Sequence, residues 1–239
     1  MDGVCIVEQN GEEVYFDSNL SDEVIKHYFD LARDYSKIKE FYKADEILVK
    51  AIEYGEGIRI LNQEKFETLI SFIISANNNI PRIKKSVEKI SEKYGKKIEY
   101  NGNIYFAFPT PEELSKATVE ELRDCGVGFR DKYIKEATQM VLTNQIDLEK
   151  ISKLSTDECK KALIKVKGVG SKVADCVMLF SMQKVDAFPV DVWIKRIMEN
   201  LYIKQEVSLK EIEKYSKEKF GEYAGIAQQY LFVYAKNVL

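Results

Sequence analysis

The chain has 239 residues, 45% of them hydrophobic and 31% charged, a balance that suits a globular protein with a sizeable core in one large domain or two lobes. Its net charge of −3 hides an asymmetry, since residues 1–60 carry 14 acidic and 7 basic side chains while residues 61–239 carry 25 and 29. An acidic start on a mildly basic body permits a polyanionic partner without demanding one, and no run reaches the roughly 18 apolar residues that cross a bilayer.

The first predicted element is a β-hairpin, with GVCIVEQ and EVYFDS flanking a turn at Asn10-Gly11. Its leading residues, MDGVCIVEQN, lack the basic and then apolar pattern of a secretory leader, so a cytoplasmic location is expected. A lone hairpin is marginal in water, and further strands are expected to support it. Helical periodicity then dominates. Ser21 is a candidate N-cap for a helix through the high twenties, and LARDYSKIKEFY and DEILVKAIEYG follow. EKFETLISFIISA reads as a central buried helix that stops at Asn77-Asn78-Asn79. PRIKKSVEKISEKYG opens with Pro81 near its first position and ends at Gly95. A second hairpin is expected at KIEYNGNIYFAF, again turning on Asn-Gly. From Pro111 onward short helices are predicted at PEELSKA, TVEELRDC, FRDKYIKEATQMVLTN, DLEKISK, TDECKKALIKV, SKVADCVMLFSM, DVWIKRIMEN, SLKEIEKYSKEKF and AGIAQQYLFVYAKNVL. No low-complexity linker separates them, and the expected fold is mainly α with a small β element.

The chemistry-bearing residues are few. Cys5, Cys125, Cys159 and Cys176 are scattered without a C-x-x-C pair, which argues against a zinc site, an iron–sulfur cluster or a disulfide scaffold. His27 is the only histidine and lies in a polar helical stretch, so any catalysis should rest on Lys, Asp, Glu, Tyr or Cys. Gly168-Val169-Gly170 sits between two helical patterns. Such a turn gathers backbone N–H groups and a helix N-terminus into an anion site, or it is a tight connection between packed helices. Gly126-Val127-Gly128 echoes it, each pair of glycines having a basic residue two places on. Lys172 opens the helix after the second turn, where a cation is locally unfavourable. Its free amine could form a Schiff base with an aldehyde carbon, or its cation could merely contact phosphate. Asp191 in AFPVDVW is placed to cap the next helix and could present its second oxygen to a developing cation.

The string GVGSKVADC, with AFPVDVW after it, resembles the helix-hairpin-helix DNA glycosylases that carry a Gly/Pro…Asp signature, and more narrowly the 8-oxoguanine DNA glycosylase/AP lyases. FETLISFIISANNNIPRI, LRDCGVGFRDKYI and AGIAQQYLFVYA extend the resemblance from about Leu31 to Leu239. It implies a helical glycosylase region over 21–239, in two lobes, with the helix-hairpin-helix at about 155–182. Residues 1–20 are expected to be the remnant of an antiparallel β domain with which the family normally begins. The implied activity is removal of 8-oxoguanine from damaged double-stranded DNA, opposite cytosine, followed by strand cleavage by β-elimination.

By the same resemblance, Lys172 is the nucleophile that forms the Schiff base and Asp191 stabilises positive charge on the sugar. Lys167, Gly168, Val169 and Gly170 grip a backbone phosphate, and their carbonyls can hold a monovalent cation; no organic cofactor or catalytic metal is implied. Asn77 fills the gap left by the extruded nucleotide, while Arg82 and Arg130 read the orphaned cytosine. Cys176 and Phe232 sandwich the damaged base and Gln228 reads its pairing edge. On their residues alone, Cys176, Gln228 and Phe232 could equally be core positions, and Asn77–Asn79 a helix end and turn. Phe129 stands where many relatives have a wedging tyrosine, and Trp193 where many have a phosphate-contacting histidine. A monomer is expected, in the cytoplasm or on a nucleoid. Two rival readings are a glycosylase for another damaged purine and a catalytically inert DNA-binding helix-hairpin-helix fragment.

Overall fold

The computed structural model describes residues 3–11 and 13–238, with side chains as far as Ala235. The chain opens on β1 (Cys5–Asn10) and β2 (Glu13–Ser18), antiparallel, with Cys5 opposite Ser18 and Asn10 opposite Glu13. Asn10 is therefore a strand residue and not half of the turn expected at Asn10-Gly11; Gly11 takes the left-handed φ of 62°. The second hairpin follows expectation. β3 (Lys97–Tyr100) and β4 (Asn103–Phe106) turn on Asn101 and Gly102, at φ 47° and 75°, the paired left-handed conformations that match strand twist. The two hairpins touch, because Asn101 Nδ2 donates to Asp17 Oδ2 at 2.7 Å and the Tyr100 hydroxyl donates to the other oxygen.

Between the hairpins lie α1 (Asp22–Tyr28), α2 (Tyr35–Phe41), α3 (Glu46–Tyr54), α4 (Lys65–Ser75) and α5 (Ile80–Tyr94). α2 begins later than its pattern suggests, since Asp34 caps it by accepting from Ser36 N at 3.1 Å. α6 (Pro111–Leu114), α7 (Val119–Leu122), α8 (Asp131–Leu142), α9 (Leu148–Ser152) and α10 (Thr156–Leu163) follow. The order closes with α11 (Ser171–Ser181), α12 (Val192–Ile197), α13 (Leu209–Phe220) and α14 (Ala224–Val238), Leu239 lying outside the described residues. Capping boxes start α6, α7, α10 and α13, and each satisfies two otherwise orphaned N–H groups.

The core follows from α4. Leu69, Ile70, Ile73 and Ile74 are wholly buried, and α4 packs against α5, α8 and α11. α11 is apolar nearly all round, with every residue from Val173 to Leu179 buried, as a central helix must be. α14 packs against α3, α12 and α13. This is the mainly α architecture expected, with two small hairpins.

Candidate active site

The hairpin between α10 and α11 is built around one glycine. Gly168 has φ 88°, and a Cβ there would stand 2.9 Å from the Tyr133 ring, so only glycine fits without a shift. Val169 is buried and anchors the turn, its N–H donating to Val166 O at 3.0 Å. Gly170, the residue before α11, is exposed, has nothing near its Cβ position and offers no side-chain cap. The first N–H groups of α11 therefore face an open approach. Lys167 is exposed beside it and pairs loosely with Glu136 at 3.5 Å.

Helix periodicity sets the next layer. Lys172, Cys176 and Leu179 share one face of α11, and Gly225, Gln228 and Phe232 share one face of α14. The two faces are joined at Gly225, where a Cβ would stand 2.4 Å from Ala187 O and 2.6 Å from Leu179 Cδ1. Gly225 N–H also donates to Val185 O at 2.7 Å, which fixes the entry of α14. Cys176 and Gln228 are each 3% exposed, and Phe232 is half-buried against the core.

Lys172 is half-buried, and its Nζ stands 5.3 Å from the centre of the Phe72 ring, which stacks on Phe180 at 5.8 Å. Such a ring face attracts a cation and walls off water on one side. Burial pushes the Cys176 thiol up to about 11, while the charge and hydrogen bond of Lys172 pull it down and the charges of Asp175 and then Asp191 push it up. The thiol is thus neutral at pH 7, with Lys172 as its hydrogen-bonding neighbour. Asp191 caps α12, its Oδ1 accepting from Ile194 N at 2.8 Å, and Oδ2 has no hydrogen-bond partner among the described residues. One carboxylate therefore caps and keeps an oxygen for a second task.

A second cluster surrounds the end of α4. Asn77 is exposed and holds φ 49°, a strained value for a residue with a side chain. Asn79 caps α5 by accepting from Arg82 N at 3.1 Å, and the Arg82 side chain is exposed. Arg130 is only 6% exposed. Its guanidinium donates to Ala76 O at 2.8 Å, Asn77 O at 3.0 Å and Val127 O at 3.0 Å, and lies 4.4 Å from the Phe129 ring centre. Burial, and then the charge of Arg82, lower the Arg130 pKa, so the two cations face one region. Phe129 is 62% exposed and projects beside them. Trp193, on α12, is half-buried with Arg196 5.2 Å from its ring centre.

The structure thus sets Lys172 beside Cys176 on α11, with Asp191 at the start of α12, and separately gathers Asn77, Arg82, Phe129 and Arg130. Sequence reasoning missed Phe72, Tyr133, Gly225 and Gln229, whose Nε2 donates to Gln228 Oε1 at 2.6 Å. Phe72 is one apolar residue among many in α4, and no periodicity sets it apart; the glycine in AGIAQQ was the one readable signal. A surface cleft of about 630 Å³ lies elsewhere, on the flank of α11 that carries Asp175.

Comparison with known proteins gives the family. Residues 70–222 match the model of the HhH-GPD superfamily base excision DNA repair proteins, and residues 4–69 match that of the 8-oxoguanine DNA glycosylase N-terminal domain. The chain belongs to the HhH-GPD superfamily. Within it, the chain is a DNA N-glycosylase/lyase of the 8-oxoguanine glycosylase type. A probable N-glycosylase/DNA lyase of Methanothermobacter thermautotrophicus is 34% identical across 90% of this chain and 75% of its own length. The N-glycosylase/DNA lyase of Saccharomyces cerevisiae is 37% identical across 74% of this chain, which spans 56% of the yeast protein. The Clostridium acetobutylicum 8-oxoguanine glycosylase/lyase, solved with double-stranded DNA containing cytosine opposite 8-oxoG, superposes with a TM-score of 0.92 at 50% identity, over 97% of this chain and 81% of that one.

Proposed function

We propose that the chain excises 8-oxoguanine from double-stranded DNA, opposite cytosine, and then cuts the strand through a Schiff base on Lys172. The observations that carry this reading are at two helix starts: at α11 an amine over an aromatic face, and at α12 a capping carboxylate with one oxygen uncommitted. The sugar carbon is shielded inside a duplex, so the nucleotide has to leave the stack. Asn77 would enter the gap, with Phe129 wedged beside the widowed base. Arg130 already satisfies carbonyl oxygens, and reading cytosine requires it to exchange these for the acceptors of that base, with Arg82 alongside. The damaged purine would lie between Cys176 and Phe232, its pairing edge against Gln228.

Lys172 Nζ, as the free amine, bonds to C1′ while the N-glycosidic bond breaks and the base departs with the electron pair. Positive charge grows on the sugar, and Asp191 Oδ2 opposes it in a partly dry site. Ring opening with loss of the amine proton leaves the Schiff base. Loss of a C2′ proton then expels the 3′ phosphate, and water hydrolyses the imine to return the amine. The hairpin from Lys167 to Gly170 and Trp193 would hold backbone phosphates. A monovalent cation fits the same turn, because the carbonyls of Lys167 and Val169 accept no hydrogen bond among the described residues. We read residues 1–20 as a small β element on a helical region over 21–239, working as a monomer on chromosomal DNA in the cytoplasm or nucleoid. No helix among the described residues is long and apolar enough to cross a membrane.

Borohydride trapping tests the reading on an 8-oxoguanine:cytosine duplex, beside an abasic duplex and a Lys172→Gln control. A trapped adduct on the lesion that falls by about a thousandfold or more in the variant is the expected result. Trapping on abasic DNA alone would leave the lysine chemistry and move the substrate to another damaged purine. No trapping on either, with DNA binding intact, would favour an inert module.

A further inference from the structure

We infer that Glu213 is a positioning residue for Lys172, acting through the Ser171 hydroxyl; the inference rests on Lys172 being the nucleophile, as proposed above. Helices α2 to α7, α9, α10, α12 and α13 each begin with a side chain that accepts from the helix's own first turn. α11 does not. Gly170 stands at its cap position without a side chain, which leaves the first N–H groups bare for a phosphate. A helix start without a cap frays, and Lys172 is the second residue of this one. A nucleophile that has to meet a single sugar carbon needs a steady base.

The tether comes from outside the helix. Ser171, the first residue of α11, donates its hydroxyl to Glu213 Oε1 at 2.7 Å. Glu213 lies on α13, and the same oxygen accepts from Lys160 Nζ, on α10, at 3.1 Å. Lys160 also donates to Asp175 Oδ2 at 2.8 Å, and Asp175 is 3% exposed. Ser171 and Asp175 are four residues apart and so share one face of α11. Lys172 and Cys176 form the next row, about 100° further round the helix. Holding the first row on α10 and α13 therefore fixes the rotation that aims the second. Glu213 accepts from no backbone N–H of α11 among the described residues, so it steadies the helix start and leaves the phosphate site open.

The test is the single-turnover rate constant for the borohydride-trapped adduct of the full chain on an abasic duplex, held at saturation so that affinity drops out. A merely structural residue changes how many molecules are active, read in the amplitude, and leaves the rate constant alone. Glu213→Leu and Ser171→Ala each remove one end of the hydrogen bond and should lower the rate constant about tenfold, given that roughly 1 Å of misplacement can cost about a hundredfold. Glu213→Gln keeps an acceptor and Ser171→Thr keeps a hydroxyl, and both should stay within about threefold of wild type. The double variant, Glu213→Leu with Ser171→Ala, should be no slower than the slower single one. Unchanged rate constants in both the Leu and Ala variants would overturn the inference. A Gln variant as slow as the Leu variant would do so too, since charge and not the hydrogen bond would then be acting, as would losses that multiply in the double variant. If the wild-type chain traps no abasic DNA, the Lys172 reading fails first and the inference falls with it.

Discussion

The two glycine turns, Gly126-Val127-Gly128 and Gly168-Val169-Gly170, share a sequence and differ in what they face. In both, the first glycine is left-handed, at φ 87° and 88°, and the valine is buried. They part at the second glycine. Gly128 stays left-handed at φ 62°, and the chain turns so that Arg130 is buried on the carbonyls of Ala76 and Asn77. Gly170 is extended at φ −90°, and the chain enters α11 with bare N–H groups and Lys172 beside an aromatic ring. One turn spends its cation on the protein's own backbone. The other leaves an opening for a ligand's negative charge. The pattern G-V-G followed by a base two places on is common to both, so the pattern alone cannot say which turn binds outward; the second glycine's conformation decides it.

Exchanging the two cations for neutral groups should break the comparison most sharply. Lys172→Gln should abolish the trapped adduct while shifting stability by no more than about 1 kcal/mol, since its Nζ makes a ring contact and no backbone hydrogen bond among the described residues. Arg130→Met should do the reverse to stability. It strips the donors that a buried side chain gives to three carbonyls and should cost about 3 kcal/mol, read as a shift of the urea midpoint. A smaller pair of effects comes from the glycines. Gly168→Ala meets both a left-handed φ and the Tyr133 ring, and should cost about 2 kcal/mol. Gly170→Ala meets nothing, so stability should move by less than about 0.5 kcal/mol. Its methyl stands where a phosphate would approach, so duplex affinity should still fall several-fold in a fluorescence titration.

Much of this was legible because local signals agreed with the fold. Asn101-Gly102 demanded its turn, Asp191 its cap, and α4 its burial. Asn10-Gly11 shows the limit: the same dipeptide sits one residue out of register, because strand pairing and not turn preference placed Asn10 opposite Glu13. Lys172 and Asp191 could be named from their motif, but Phe72 could not, since its contact with Lys172 bridges 100 residues of chain. Only the family resemblance makes Arg130 a cytosine contact; its spacing after the glycine turn does not. Its burial on the carbonyls beside Asn77 depends on where α4 ends in space, which no local pattern encodes.

The smallest expected effect concerns what supports each turn from behind. Asp131, 1% exposed, pairs with Arg123 at 2.7 Å under the first turn, and Asp175, 3% exposed, pairs with Lys160 at 2.8 Å under the second. Lys160 also meets Glu213 at 3.1 Å, and Glu213 accepts from the Ser171 hydroxyl at 2.7 Å, so this network reaches the residue beside Lys172. Burial pushes the Asp175 carboxyl up to about 6, against the pull of Lys160. Its folded value lies above its unfolded one, so its contribution to stability is fully present below the ordinary carboxylate range and is lost as pH rises through about 6. Glu213 is lowered, chiefly through the Ser171 and Lys160 hydrogen bonds working against its burial, and its own contribution is lost only as pH falls below the ordinary glutamate value of 4.5. Between about pH 7 and pH 5 the Asp175 effect therefore stands alone within this network. Wild type should gain about 1 kcal/mol over Asp175→Asn across that interval, read from urea midpoints at the two pH values. Parallel pH profiles for the two chains would mean that Lys160 already holds Asp175 ionised, and that the second turn is backed by an ion pair across that interval.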